Sequence, residues 1–314
     1  SRGRGGAVLV PHAPETRNHR ERPSMEFFGI QLLNGLTAGV VYAMLAVGYS
    51  LVYGILQQIN FAHGYVYMFG TFTTMALITG GAPLWLAIVV GLATGALIAV
   101  LVERFAYRPV RNNRLAPTVT AVGIGLVIEN VARLIWGPQI RPMPFPLQSE
   151  YFTVGPFVMT PLQIVVLGTG LAMAAIMGLV TTKTNLGRAM RAVRDDLPTA
   201  ELMGIPVNRV IVFVYALGAV FGVAGGILYG AYYNNISVTM GFAGTLNAFT
   251  ATVIGGIGSI WGAFAGGILL GVVQSLVTGY TDSAMVNTVT FLLLITFLIF
   301  RPNGLAGVKA VIRL

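Results

Sequence analysis

Long apolar runs without charge, separated by short loops that hold nearly all of it, make up this chain. No Asp, Glu, Lys or Arg occurs from Phe27 to Phe61, or from Val210 to Tyr280. About 20 apolar residues make a helix that spans the hydrocarbon core of a bilayer, and the second run is long enough for three. Nine apolar segments can be marked: Phe28 to Tyr53, Asn60 to Ile78, Leu84 to Val102, Pro117 to Trp136, Pro161 to Thr181, Val210 to Tyr233, Phe242 to Ile254, Ile260 to Tyr280 and Met285 to Phe300. The seventh is too short to cross alone and reads as re-entrant or broken. Lipid tolerates such backbone only where it is buried in protein or lines a watery cavity. The pattern predicts an all-α polytopic transmembrane helix bundle of eight or nine hydrophobic segments.

Composition sharpens this picture. Charged residues are 9% of the chain, against about 25% in soluble domains. The 40 glycines suit close helix contact in lipid, where packing drives association. Basic residues cluster after the third segment (Arg104, Arg108, Arg111, Arg114), after the fifth (Lys183, Arg188, Arg191, Arg194, Arg209) and in the tail (Arg301, Lys309, Arg313). The intervening connections hold Arg141 alone. Such an excess marks the cytoplasmic side, predicting a multi-pass protein of the bacterial inner membrane with a cytoplasmic C-terminus. The net charge of +9 lies in these loops rather than on a binding face, so no nucleic-acid partner is expected. The chain has no Cys, and His63 is the one His beyond Met25. No disulfide, thiolate nucleophile or multi-His metal site is expected.

Residues 1–24 are polar, rich in Arg and Pro, and lack the apolar core of a secretory signal. They read as a disordered basic extension, either translated upstream of a start at Met25 or a genuine tail. Nine crossings would put Met25 outside, in conflict with the arginines of that extension. The membrane domain then covers residues 25–314, with a charged cytoplasmic loop at 182–210.

Three motifs stand out. In LVYGILQQINFAHG, residues 51–64, the polar group Gln57, Gln58, Asn60 and His63 sits between two helices. Unpaired polar groups in hydrocarbon cost several kcal/mol, so these side chains either cap helix ends or line the translocation path. In the loop 182–210, Arg188, Arg191 and Arg194 recur every three residues, and Pro198 and Thr199 fit the start of a second short helix. Gly204 and Pro206 end it. A capped helical pair presenting Ala200, Glu201, Leu202, Met203 and Ile205 suits a partner's groove; the alternative is a solvated loop. In the stretch 251–271, Gly255, Gly256, Gly258, Gly262 and Gly266, with Gly267 and Gly271, form small-residue spacings for tight packing or a hinge. No Lys or acidic ribose partner follows GGIG, which argues against a nucleotide loop.

Taken together the motifs resemble the LivH-type permeases of branched-chain amino-acid ABC transporters. NGLTAGVVYAMLAVGYSLVYG at residues 34–54, INFAHG at 59–64, GRAMRA at 187–192 and GGIGSIWGAFAGG at 255–267 match that family's pattern. The resemblance implies a non-catalytic importer subunit that binds no cofactor. Implied partners are a second, LivM-like permease, two cytoplasmic ATPases (LivG-like and LivF-like) holding ATP and Mg, and a periplasmic binding protein that sets most of the specificity. It implies Leu, Ile and Val as substrates, with urea, short amides or other amino acids carried by related permeases. The 182–210 loop would then be the coupling element.

Glu129 and Arg133, four apart on the fourth segment, can pair on one helix face; the other reading is a direct grip on substrate. An ion-coupled secondary carrier would need coupling carboxylates near the midplane, for which Glu129 is the only candidate. An intramembrane enzyme lacks convergent nucleophile, base or metal ligands.

Overall fold

The structure is a computed structural model that describes residues 25–306, apart from 112, 114, 147–151 and 155–156. The predicted extension 1–24, Arg114, Lys309 and Arg313 lie outside the described residues. Eleven α-helices are described: α1 (Met25–Leu56), α2 (His63–Thr79), α3 (Leu84–Leu101), α4 (Ala116–Trp136), α5 (Pro161–Lys183), α6 (Asn185–Asp195), α7 (Leu197–Leu202), α8 (Val207–Tyr233), α9 (Met240–Gly255), α10 (Ile260–Tyr280) and α11 (Met285–Phe300). A π-helical turn, Val102–Tyr107, extends α3.

The bundle predicted from the apolar pattern is present. Six helices are long and apolar enough to cross a membrane, counting α3 with its π-helical turn. The shorter helices α2, α9 and α11 have 17, 16 and 16 residues, or about 24–26 Å at 1.5 Å per residue, and of these α11 is the apolar one. Each falls short of a core about 30 Å thick. The sequence reading also missed two three-residue strands, β1 (Phe152–Val154) and β2 (Phe157–Met159). They pair antiparallel within the connection before α5.

Packing explains the arrangement. α1 and α8 are the most enclosed of the long helices, whereas α3, α4 and α5 bury a much smaller share of their residues. Exposed Val119, Leu126, Leu134, Leu171, Ile176 and Leu179 are what a lipid-facing outer layer requires. α1 packs antiparallel along α10: Phe27 meets Tyr280 at one end, with ring centroids 5.5 Å apart, and Gly54 meets Gly258 at the other. The chain after α11 returns to the end of α9, where Leu305 N–H donates to the Ile254 carbonyl at 2.9 Å. The helices therefore alternate in direction from α8 to α11.

This alternation gathers the basic clusters at one end. Gln58, just past α1, donates to the Arg111 carbonyl at 3.0 Å, and Arg111 Nη1 donates to Asn208 in the first turn of α8 at 3.3 Å. Arg191 and Arg194 of α6 share a cavity with Gly54 and Gly258. Arg301 precedes the turn that packs Gly304 on Gly256. At the opposite end Arg141 bridges to Ile236 beyond α8. Three loops far apart in sequence thus form one basic end.

Candidate functional site

The elbow between α1 and α2 is built from a helix that stops and a chain that turns back inward. Gln57 takes a left-handed conformation (φ 52°), which is uncommon for a non-glycine residue, and breaks α1. Gln57 is exposed and Gln58 half-buried, while Asn60 and His63 are buried. Tyr107, in the π-helical turn, donates to Asn60 Oδ1 at 2.7 Å. The His63 imidazole is held between α1 and α8: a Cβ on Gly48 or on Gly222 would lie 3.2 or 3.1 Å from its Nε2. That Nε2 has no hydrogen-bond partner among the described residues. The Tyr49 ring stands edge-on to the imidazole with centroids 6.1 Å apart. The four predicted polar residues thus divide into a buried pair, Asn60 and His63, and a peripheral pair, Gln57 and Gln58. Both buried side chains pack against neighbouring elements, Asn60 on Tyr107 and His63 on α1 and α8.

The sequence alone linked neither Tyr107 to Asn60 nor Gly48 and Gly222 to His63; Gly218 packs on Gly48 beside them. The signal was available in the four-residue spacing of Gly218 and Gly222, which marks a face of close helix approach.

At the basic end, α6 and α7 form the predicted helical pair. The Thr184 side chain caps α6 by accepting from Gly187 N–H at 3.1 Å, and Asp196 caps α7 by accepting from Thr199 N–H at 2.8 Å. On α6, Arg188, Arg191 and Arg194 are exposed, and Gly187, Met190 and Val193 are buried. Gly204 ends α7 at φ 81°, with Gly204 N–H donating to Glu201 and Ile205 N–H to Ala200, a Schellman motif. One prediction is corrected here. Ala200 is 3% exposed and faces its own bundle rather than a partner, whereas Leu202 and Met203 are 88% and 78% exposed. Glu201 is exposed beside them.

The glycine-rich stretch is a packing seam. Gly255 lies against the Gly262 backbone and Gly266 against the Ala251 carbonyl, closing α9 on α10. Gly256 and Gly258, at φ 107° and 81°, make the turn between them. Gly267 and Gly271 press on Ala43 and Gly39 of α1, a partner surface the sequence reading had not assigned. Glu129 and Arg133 form the predicted ion pair within α4.

Among the described residues no three His, Asp or Glu side chains group to hold a metal. A glycine-sealed apolar bundle with a capped helical pair at its basic end is the architecture of a multi-pass membrane protein. Residues 31–300 match the family described as branched-chain amino acid transport system, permease component, and the chain belongs to that family. It is 38% identical over 299 residues to the high-affinity branched-chain amino acid transport system permease protein LivH of Salmonella typhimurium, covering 90% of this chain and 96% of that protein. It is 37% identical to LivH of Escherichia coli K12 with the same coverage. The permease BraD of Pseudomonas aeruginosa is 35% identical, with 91% of this chain and 97% of that protein covered.

Proposed function

We propose that the chain is the permease subunit of an ATP-driven importer that moves Leu, Ile and Val across the bacterial inner membrane by alternating access. Its basic end would face the cytosol, as the positive-inside rule requires, and its C-terminus would lie on that side. The observation that carries this reading is the α6–α7 pair, with Leu202 and Met203 exposed on a short helix capped at both ends. Bulky apolar side chains on a fixed, water-facing helix suit a groove in another protein. On this reading they dock on a LivG-like or LivF-like ATPase holding ATP and Mg. A LivM-like permease completes the membrane part, and a periplasmic binding protein delivers substrate to the opposite end.

Mechanically, α6 is tied to the bundle. Arg191 donates to the Thr181 carbonyl at the end of α5, and Val193 and Met190 pack inward. A displacement of α6 by ATPase closure would therefore pass to α5 and α1. Asn60 and His63, at the elbow where α1, α2 and α8 meet, are the proposed point where this motion opens the path. Reconstitution in vesicles tests the whole: leucine uptake should require the ATPase subunits and ATP, and uptake by the permeases alone would reject the proposal.

A further inference from the structure

A cavity of about 220 Å³ lies at the basic end between the last turns of α1 and α5, the bundle-facing side of α6 and the start of α10. Its charge is one-sided. Arg191 and Arg194 line it, and no Asp or Glu is among its lining residues. Among the described residues Arg194 pairs with Asp195, which lies outside the lining, at 3.2 Å.

Ser50 also lines the cavity. It is 1% exposed, and its Oγ has no hydrogen-bond partner among the described residues. A helical serine normally bonds back to the carbonyl four residues earlier. Here that carbonyl, Ala46, also accepts from Thr252 Oγ1 of α9 at 3.2 Å. A buried hydroxyl left without a partner costs about 1–3 kcal/mol, which an acceptor entering the cavity would relieve.

One flank of the cavity adjoins the lipid-facing layer. Trp261 lines it, is 53% exposed, and lies over Gly178 of α5. α5 turns Ile176 and Leu179 outward. Trp is enriched where bilayer meets water, and basic pockets between membrane helices suit anionic lipid headgroups. We propose that this cavity binds a phosphate group, that of an anionic phospholipid, with the phosphate oxygens at Arg191, Arg194 and Ser50 and the acyl chains along α5 and Trp261. A lipid held there pins α6 to the ends of α1 and α10. The site stands on the geometry of this end and not on the importer reading, so either can fail without the other.

The test uses Trp261 as reporter. The full chain carrying Trp85→Phe and Trp136→Phe is placed in phosphatidylcholine vesicles doped with brominated phosphatidylglycerol or, separately, brominated phosphatidylcholine. The proposal expects several-fold stronger quenching by the anionic lipid. That preference should vanish when Arg191→Gln and Arg194→Gln are combined, and weaken in Ser50→Val. Inorganic phosphate in the bath should leave it unchanged; relief by phosphate would assign the site to the free anion and overturn the lipid as occupant. Because Trp136 packs against Phe69 and Phe72, its replacement can perturb folding. Native mass spectrometry of the unaltered chain then serves: phosphatidylglycerol retained over phosphatidylcholine supports the site. Equal quenching, or equal retention, overturns it.

Discussion

The seam between α1 and α10 and the pair α6–α7 solve opposite problems with the same residue type. Along the seam, Gly35, Gly39, Gly267 and Gly271 bring backbone against backbone, with no room for even a methyl group. At the end of α7, Gly204 meets nothing within 4 Å of where a Cβ would be, and is required only by its φ of 81°. Glycine at the seam is a packing residue; glycine at the helix end is a conformational one. The seam buries its surface within the chain, while the pair leaves Leu202 and Met203 for something else to cover. One region sets the fold, and the other, on the proposed function, meets a partner.

The largest effect should come from the seam. Gly267→Leu drives a side chain into the Ala43 backbone, and overpacking of this kind costs about 1–3 kcal/mol or more. We expect little or no monodisperse protein after detergent extraction. Gly123→Leu on α4, where nothing lies within 4 Å, should extract normally. If both variants behave alike, the seam is not special.

Next comes the elbow. His63→Ala removes a buried ring between Gly48 and Gly222. Large-to-small core changes cost about 2–5 kcal/mol, so thermal unfolding in detergent should shift down by several degrees. Gly222→Ala should cost more alone than beside His63→Ala, because the imidazole supplies two of its three nearest atoms, at 3.1 and 3.3 Å, and the Tyr67 Cβ at 3.3 Å the third. A double-mutant cycle reads this coupling, and strict additivity would mean that the imidazole does not fill that slot.

A smaller loss of stability is expected at the helix end. Gly204→Ala forces a Cβ into a left-handed conformation, at about 1–2 kcal/mol. That strain is local to α7, so uptake per ATP hydrolysed should fall more than extraction yield. Smallest of all for the chain itself, Leu202→Ser with Met203→Ser should move stability by about 0.5 kcal/mol or less, while weakening co-purification with the ATPases. A purified chain that unfolds on this double change would place these residues in its own core.

Much of this organisation was legible in the sequence, and the omissions have physical causes. Uncharged runs and basic loops report solvent, one residue at a time, so the helices and the basic clusters could be read directly. Pro198 and Gly204 act locally, so the short helix was legible, although it begins at Leu197 behind an Asp196 cap. Contacts between distant segments leave weaker traces. That Gly39 meets Gly271, or that Tyr107 bonds Asn60, depends on which faces meet after folding. Ala200 was misread for the same reason: on a six-residue helix, periodicity does not say which side the bundle covers. The hairpin of β1 and β2 was missed because strands of three residues each are too short to show a period.

Site-specific photo-crosslinking from position 203 in the assembled transporter tests the central claim most directly. The account predicts a crosslink to a nucleotide-hydrolysing subunit, with a yield that changes between nucleotide-free and ATP-bound states. A side chain at 203 that labels only lipid or this chain itself, in a complex that still imports leucine, would contradict it.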